Sequence, residues 1–292
     1  MKIVLLGKNG QLGWEFERSL PALGNVIALD REELDLRDLH GVQSILSELK
    51  PDVIVNASAY TDVDRAEKEP ELAMQVNALA PGVMAEVSRT LGAVLVHFST
   101  DYVFDGEGSV PYTENHGTNP LNVYGRSKLR GEENVQGAGD AYLILRTSWV
   151  YSLRGNNFVN KVLGWSRKNS TLRIVDDQVS SPTWARMLAE ITSLVLAQNH
   201  GHLYDRIREQ CGIYHVAGSG YTSRYEWAKE ILANDPYRSE QSVKFIEPGH
   251  SKDFPTPAAR PLFSALDCTR FEKTFGLQLP PWSSTLKLAM TG

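Results

Sequence analysis

The chain has little of what marks secreted, membrane or metal-cluster proteins. Among its 292 residues only Cys211 and Cys268 are cysteines, and they lie in unrelated contexts without C-x-x-C spacing. A disulfide framework and a cysteine zinc site are therefore not expected, and a reducing compartment fits. The apolar run Met1–Leu6 enters a glycine turn and is too short for a signal sequence or a membrane span. We expect a cytoplasmic protein.

An excess of charge of one sign is also missing. The formal net charge is -5 and the pI is near 5.8, which gives no general attraction to nucleic acid or to an anionic membrane. The hydrophobic fraction of 42% and the charged fraction of 22% are ordinary for a globular protein. We therefore expect a small-molecule ligand held by local groups, with no nucleic-acid or membrane partner.

Short apolar runs alternate with segments of helical composition in the first half of the chain. The alternation predicts βαβ units and a doubly wound parallel sheet, since several runs are continuously apolar and so buried on both faces. The predicted strands are Lys2–Leu6, Asn25–Leu29, Asp52–Asn56, Val94–Ser99 and Tyr142–Arg146. The predicted helices between them are Gly13–Leu20, Leu39–Leu49, Glu71–Leu91 and Tyr124–Glu133. Later candidates are the strand Thr171–Val175 and the helices Arg186–Leu196 and Arg224–Leu232.

A glycine-rich turn follows the first predicted strand. Gly7, Gly10 and Gly13 form a G-x-x-G-x-x-G pattern that includes Gln11 and Leu12 and opens a helix. Glycines at this junction let backbone amides approach a pyrophosphate at the positive end of the helix. The pattern therefore predicts a dinucleotide site in a Rossmann-type α/β fold, against the alternative of an ordinary glycine-rich turn.

The end of the second predicted strand bears on the choice of dinucleotide. Asp30 would accept hydrogen bonds from a ribose 2'-hydroxyl and favour NAD, whereas the adjacent Arg31 could pair with the 2'-phosphate of NADP. Either residue could instead only begin a solvated loop. We expect both NADH and NADPH to be used.

A tyrosine and a lysine four residues apart form the candidate catalytic pair. Tyr124 and Lys128 lie on one face of a predicted helix. Reducing a ketone requires a proton for the developing alkoxide, and a phenol of pKa near 10 donates well only if its anion is stabilised, as the lysine charge would do. Thr100, at the end of an apolar strand, can polarise the carbonyl. A pair at this spacing also arises often by chance.

Several blocks together resemble the dTDP-4-dehydrorhamnose reductases, an extended branch of the short-chain dehydrogenase/reductase superfamily. The resemblance covers nearly the whole chain. It rests on the blocks Gly7–Trp14, Pro51–Ala57, His97–Gly106, Pro120–Gly125, Arg146–Tyr151, Gly155–Phe158, Asp177–Gln178 and Pro255–Pro261. It implies NAD(P)H-dependent reduction of the C4 keto group of dTDP-4-dehydrorhamnose to dTDP-L-rhamnose, the last step of dTDP-rhamnose biosynthesis.

The resemblance also implies roles for particular residues. Tyr124 would be the proton donor, Lys128 would bind the nicotinamide ribose and lower the tyrosine pKa, and Thr100 would replace the usual serine. Thr100, Asp101 and Trp149 would contact the sugar nucleotide. The implied cofactor contacts are Gly10, Gln11, Leu12, Asp30, Asp35, Leu36, Ala59, Tyr60, Thr61 and Phe98.

Chemistry alone adds Asn156, Asn157, Gln178 and Arg260 as candidate ligands of the polar sugar and the diphosphate, with a turn or a solvated charge as the alternative. The expected division is an NAD(P)-binding Rossmann domain over 1–148, with about 171–178 added. A smaller C-terminal substrate-binding domain would cover 149–170 and 179–292.

Three other functions share part of this pattern. A nucleotide-sugar dehydratase or epimerase would also have the glycine turn and the tyrosine–lysine pair, but related dehydratases carry a glutamate where this chain has Tyr102. A related reductase could form another 6-deoxy sugar. A non-catalytic NADP-binding regulatory subunit of similar fold could keep both Tyr124 and Lys128.

A metal site marks some relatives. Dimeric members of the family bind Mg²⁺ at a subunit interface through acidic residues, and Glu15 keeps one ligand position. Arg186 stands at another, where it would repel the ion and could pair with Glu15. Glu190 is the nearest acidic substitute. We expect no metal requirement and a monomer or a metal-free homodimer.

Overall fold

The structure is a computed structural model that describes residues 1–198 and 201–291 of the chain. The range 179–292 discussed above includes Asn199, His200 and Gly292, which lie outside the described residues. The strands are β1 (Lys2–Leu6), β2 (Asn25–Leu29), β3 (Val53–Asn56), β4 (Val94–Thr100), β5 (Tyr142–Thr147), β6 (Val150–Tyr151), β7 (Thr171–Val175), β8 (Val179–Ser180), β9 (Thr183–Trp184), β10 (Gly212–His215), β11 (Thr222–Ser223) and β12 (Phe245–Gly249). The helices are α1 (Gln11–Ser19), α2 (Leu39–Leu49), α3 (Val63–Ala66), α4 (Pro70–Met74), α5 (Ala80–Leu91), α6 (Val123–Ala138), α7 (Phe158–Ser166), α8 (Ala185–Gln198), α9 (Leu203–Glu209), α10 (Arg224–Ala233), α11 (Thr269–Phe275) and α12 (Trp282–Thr291).

Alternating apolar residues of the strands hold helices on both faces of the central sheet. In β1, Ile3 and Leu5 face a core shared with Phe16 of α1, while Val4 and Leu6 face a core shared with Leu46 of α2. Within the described residues six parallel strands form this sheet, in the order β2-β1-β3-β4-β5-β10. The predicted α/β class with a doubly wound parallel sheet is confirmed.

The strand order places the first glycine turn at the centre of the sheet edge. The chain adds β2 on one side of β1 and β3 on the other, so the direction of strand addition reverses beside β1. In open α/β sheets ligands bind outside the carboxyl ends of the strands at such a reversal. The fold alone therefore places a ligand site next to Gly7–Gly13.

The predicted helix Glu71–Leu91 is interrupted in the structure. It begins as α4, passes through a π-helical turn at Gln75–Leu79 and continues as α5. Pro81 is in the first turn of α5, directly after the π-helical turn, and the helix continues through it. The π turn places Asn77 against the loop after β3 and against α6. Periodicity could not show this inserted turn.

The pairing of two strands does not follow the predicted division into domains. Thr171–Val175, assigned to the Rossmann domain, pairs with β12 outside the central sheet, whereas Gly212–His215, assigned to the substrate-binding part, is the sixth strand of that sheet. The reason is side-chain content: Leu172 and Ile174 pack into a separate apolar cluster with Trp227, while Tyr214 packs into the sheet core. The domain boundary remains a prediction. No helix within 1–198 and 201–291 is long and apolar enough to cross a bilayer.

A buried ion pair joins α6 to β5. Glu132 and Arg146 have side chains 1% and 3% exposed, with the Arg146 Nη2 atom 2.6 Å from Glu132 Oε2. Ser99 of β4 also donates to Glu132 Oε1, at 2.5 Å. Neither charge has access to solvent, so each depends on the other.

We expect Glu132→Gln to destabilise the fold by about 3–5 kcal/mol, because it leaves the Arg146 guanidinium buried and uncompensated. The neighbouring variant Glu133→Gln is the control, since Glu133 and its partner Arg130 are 51% and 60% exposed and such pairs contribute about 0–1 kcal/mol. Urea unfolding of both variants measures the difference. Equal midpoints would contradict the assigned role of the buried pair.

Candidate active site

The glycine turn is built for close backbone approach. Gly7 has φ +90°, and a Cβ on Gly13 would meet the Gly7 carbonyl oxygen at 2.0 Å. Gly10 precedes α1 without capping the helix through a side chain, so the first amides of α1 remain for an anionic ligand. The tight turn thus fits the pyrophosphate of a dinucleotide.

The acidic and basic residues after β2 are already hydrogen-bonded. Asp30 accepts from the Asn9 side chain at 2.7 Å and from the Glu32 amide at 2.9 Å. These bonds, led by that of the Glu32 amide, hold the pKa of Asp30 below its usual value. Arg31 is 70% exposed and 3.7 Å from Asp35, whose carboxylate is also bound by the Arg37 guanidinium. Asp30 is therefore fixed and ionised, while Arg31 is free to move toward a second anion.

The loop after β3 is held by a residue that sequence reasoning did not find. Asn77 accepts from the Tyr60 amide at 2.8 Å, donates to the Tyr60 carbonyl at 3.0 Å and donates to Ser127 of α6 at 3.0 Å. Its position depends on the π-helical turn. One side chain thus connects the Ala59–Thr61 loop to the helix that carries the catalytic pair.

Helix α6 brings Tyr124 and Lys128, the candidate catalytic pair, to the end of β4. Asn122 caps this helix by accepting from the Gly125 amide at 2.7 Å. A Cβ on Gly125 would meet the Tyr102 carbonyl oxygen at 2.2 Å, so the helix lies directly on the turn that follows β4. Tyr124 and Thr100 line the same cavity at this point. The contact between the helix and the turn therefore sets their relative position.

Burial acts on both members of the pair. It raises the pKa of Tyr124, and the hydrogen bond with Thr100 only partly offsets the increase. Burial also lowers the pKa of Lys128 to about 8, against the opposing charge of Glu132. The lysine is 1% exposed and donates to the Phe98 carbonyl at 2.6 Å. The site thus holds a protonated phenol and a lysine that remains mostly charged at neutral pH but loses its proton more readily than in water.

Asp101 is bound by hydroxyl groups. Its Oδ2 accepts from Ser180 at 3.1 Å and Ser264 at 2.6 Å, and Oδ1 accepts from Thr100 at 3.2 Å. Burial raises the pKa of this carboxyl to about 6. The carboxylate orients Thr100, in addition to lining the cleft as predicted.

An aromatic group lines the same cavity as Tyr124 and Lys128. Trp149 has φ +41° and stacks on Trp227, with ring centroids 5.4 Å apart. The Arg224 guanidinium lies 4.1 Å from the Trp149 ring centroid and donates to Gln178 at 3.1 Å. Arg224 and Trp227 were not predicted, because a helix start at Ser223 gives no sign that it faces a cleft.

Two adjoining cavities contain nearly all predicted site residues. The larger, about 1410 Å³, is lined by Gly7, Gly10, Gln11, Leu12, Asp30, Arg31, Asp35, Leu36, Ala59, Tyr60, Thr61, Phe98, Thr100, Asp101, Tyr124, Lys128, Trp149, Asn156 and Asn157. The smaller, about 800 Å³, is lined by Gln178 and Arg260. Arg224 and Phe158 line both. Gly13 lies behind the turn against Gly7.

Three of the four predicted polar ligands are held by other parts of the protein. Asn157 caps α7 and donates to Gln11 at 2.8 Å, so it connects the two sides of the larger cavity. Arg260 binds Asp64, with Nη2 2.7 Å from Oδ2, and Gln178 accepts from Arg224. Asn156 is exposed to the cavity. All four remain proposed ligands, and only Asn156 has no such competing partner among the described contacts.

Comparisons with known proteins agree with this geometry. The family described as RmlD substrate binding domain matches residues 1–291. Proteins named dTDP-4-dehydrorhamnose reductase from Burkholderia thailandensis and Salmonella typhimurium are each 40% identical to the chain. The matches cover 99% and 100% of this chain and 98% and 97% of those proteins. The chain belongs to the dTDP-4-dehydrorhamnose reductase family.

Two solved structures of reductases match nearly the whole chain. The Bacillus anthracis dTDP-4-dehydrorhamnose reductase in complex with NADP matches with a TM-score of 0.89 and 34% identity, over 99% of this chain and 98% of that one. The Clostridium acetobutylicum reductase matches with a TM-score of 0.91 and 35% identity, over 100% and 99%. The resemblance predicted from the sequence is confirmed.

The acidic residues that bind Mg²⁺ in dimeric reductases of this family form no cluster here. Arg186 pairs with Glu190 at 2.8 Å and not with Glu15, contrary to the pairing suggested by the sequence. Glu15 is 8% exposed, and burial raises its pKa. Within residues 1–198 and 201–291 no group of three acidic, histidine or cysteine side chains could hold a metal ion.

We expect Gly13→Ala to weaken dinucleotide binding by about tenfold or more. The added methyl group must displace the Gly7 carbonyl, and a loss of only about 1.4 kcal/mol in binding free energy is a tenfold loss of affinity. Gly137→Ala in α6 is the matched control, because its Cβ meets nothing within 4 Å. That control should be neutral or slightly stabilising. Fluorescence titration with NADPH and thermal unfolding measure the two effects. Unchanged affinity in Gly13→Ala would exclude the turn as the pyrophosphate site.

Proposed function

We propose that the chain uses NADPH or NADH to reduce the C4 keto group of dTDP-4-dehydrorhamnose, giving dTDP-L-rhamnose. The observation that carries the proposal is that Tyr124, Lys128 and Thr100 line the same cavity as the glycine turn. The full-length similarity to proteins named as this reductase supports the same reaction. We also propose that it acts in the cytoplasm.

The residues present fit a nicotinamide dinucleotide. The Gly7–Gly13 turn would hold the pyrophosphate, Asp30 or Arg31 the adenosine ribose end, and Lys128 the nicotinamide ribose. When bound, the reduced nicotinamide supplies the hydride. Arg31 is exposed and Asp30 is fixed, which supports the use of both cofactors.

The protein's own part in the reaction is to polarise and protonate the ketone oxygen. Thr100 at the end of β4 donates its hydroxyl proton to Asp101, and it would exchange this hydrogen bond for one to the ketone oxygen. Tyr124 holds its proton firmly because burial raises its pKa, so it becomes a donor when negative charge develops on the substrate oxygen. Positive charge on Lys128 stabilises the phenolate that remains.

Two arginines are placed to bind the diphosphate. Arg224 lines both cavities, and Arg260 lines the smaller one, where it is paired with Asp64. A guanidinium presents paired donors that match phosphate oxygens. Trp149, fixed between Trp227 and Arg224, would form the wall beside the sugar.

The direct test is the product formed from dTDP-4-dehydro-β-L-rhamnose and NADPH, identified by its configuration at C4. Conversion to dTDP-L-rhamnose with equimolar oxidised cofactor is expected. The C4 epimer would identify a reductase that makes another 6-deoxy sugar. Absence of any NADPH consumption would favour a regulatory binding protein and refute the proposal.

We predict that Tyr124→Phe keeps the fold and the dinucleotide affinity but loses about 10²–10⁴-fold in kcat, because only the proton donor is removed. Tyr112→Phe is the control, since its hydroxyl bonds Asp105 and Gly108 away from the cleft. Steady-state kinetics of both variants decide the matter. A near-normal kcat in Tyr124→Phe would disprove the assignment of the proton donor.

We also propose that the protein works without magnesium, as a monomer or a metal-free homodimer. The Arg186–Glu190 pair supports this, because a guanidinium neutralises the carboxylate that a metal would require. Activity and solution mass should be the same in EDTA and in added Mg²⁺. A dimer that forms and turns over only with magnesium would refute the proposal.

A further inference from the structure

His97 lies behind the catalytic lysine and is not part of the cavity wall. It belongs to β4, one residue before Phe98, whose carbonyl accepts from Lys128. The ring is 0% exposed, and its two nitrogens contact Asn56 of β3 and Lys128 of α6. A polar ring in such a place must have a defined hydrogen-bond pattern, because an unmatched donor or acceptor would be costly.

Asn56 determines which ring nitrogen accepts. The Asn56 Oδ1 atom accepts from the Ser58 amide at 3.1 Å, which fixes the orientation of the side-chain amide. The Asn56 Nδ2 atom therefore faces His97 Nδ1, at 3.0 Å. Because Nδ2 can only donate, Nδ1 must accept.

The proton of His97 must then lie on the other nitrogen. Burial, together with the nearby Lys128 charge, lowers the pKa of His97 well below its usual value, so the ring is neutral. A neutral ring that accepts at Nδ1 carries its hydrogen on Nε2. Nε2 lies 3.4 Å from Lys128 Nζ. An ammonium group has no lone pair and opposes this N–H, whereas an uncharged amine can accept from it.

We propose that His97 is a positioning residue that limits the pH range in which Lys128 is charged, because Asn56 directs its Nε2–H at the lysine nitrogen. The catalytic consequence rests on the function proposed above. The loop that carries Ser58 also lines the dinucleotide cleft, so the charge of the lysine is linked to the position of that loop.

Other groups around Lys128 act on the same equilibrium. Glu132, on the same helix, favours the charged lysine but is itself paired with Arg146 of β5. Tyr124 and Asp101 face the cavity side. None of these contacts His97 in the hydrogen bonds described, so a change at Asn56 tests the ring separately.

The tautomer can be measured without turnover. Nitrogen-15 histidine NMR of the intact protein, with His97→Phe used to assign the signal, should show the His97 proton on Nε2 at neutral pH. A proton on Nδ1 would overturn the proposal. This outcome does not depend on whether the protein reduces any sugar.

Asn56→Asp should switch the tautomer of His97, so that the ring carries its proton on Nδ1 instead of Nε2. A carboxylate can accept from both the Ser58 amide and Nδ1–H, which leaves the Nε2 lone pair facing Lys128 and favours the ammonium form. We expect the lysine titration, followed by carbon-13 lysine NMR with Lys128→Met for assignment, to move upward by about one pH unit, which is about tenfold in the protonation equilibrium. The alkaline limb of kcat/KM against pH should move with it.

The double variant separates the ring from the added carboxylate. In the His97→Phe background, Asn56→Asp should move the lysine titration by less than half as much. An equal shift with and without His97 would mean that the carboxylate acts directly through space, and the proposal would fail. If thermal unfolding shows that the Asn56→Asp variant is not folded, the His97 tautomer in the unaltered protein still tests the proposal. A titration shift without sugar reduction would contradict only the proposed function.

Discussion

The close contact between helix α6 and the end of β4 is the constraint on which the site depends. Gly125 and Gly131 both lie where a Cβ would meet a backbone oxygen, that of Tyr102 at 2.2 Å and that of Asn77 at 2.1 Å. Backbone therefore packs on backbone along the helix. Tyr124 and Lys128 reach the strand end only because these glycines permit the approach.

That contact also brings charged and polar groups into the interior. Lys128 and Glu132 are each 1% exposed, and Arg146 is 2% exposed. Buried charges of this kind contribute little net stability compared with apolar packing, but they are costly when one partner is lost. The interior beneath the sheet edge is thus organised for the electrostatics of the site more than for stability.

The sequence was sufficient for the features that depend on local pattern. The strand β1, the helix α2 and the glycine turn follow from apolar alternation, helical spacing and the need for close backbone approach. Asn77 and Arg224 could not be found in this way, because each acts through contacts distant in sequence. The sixth strand, Gly212–His215, was not predicted, because it is short and its place in the sheet depends on pairing with β5.

The left-handed backbone of Trp149 has a consequence for how a sugar would be received. A bulky residue at φ +41° is strained by about 1–3 kcal/mol and persists only when its surroundings hold it. Stacking on Trp227 and contact with Arg224 hold it in this conformation. The wall of the cavity is therefore rigid before an encounter, so association would not lose the rotational freedom of a large side chain. Affinity would be set by how well the sugar nucleotide fits this wall, because the conformational entropy of the Trp149 side chain is already lost during folding.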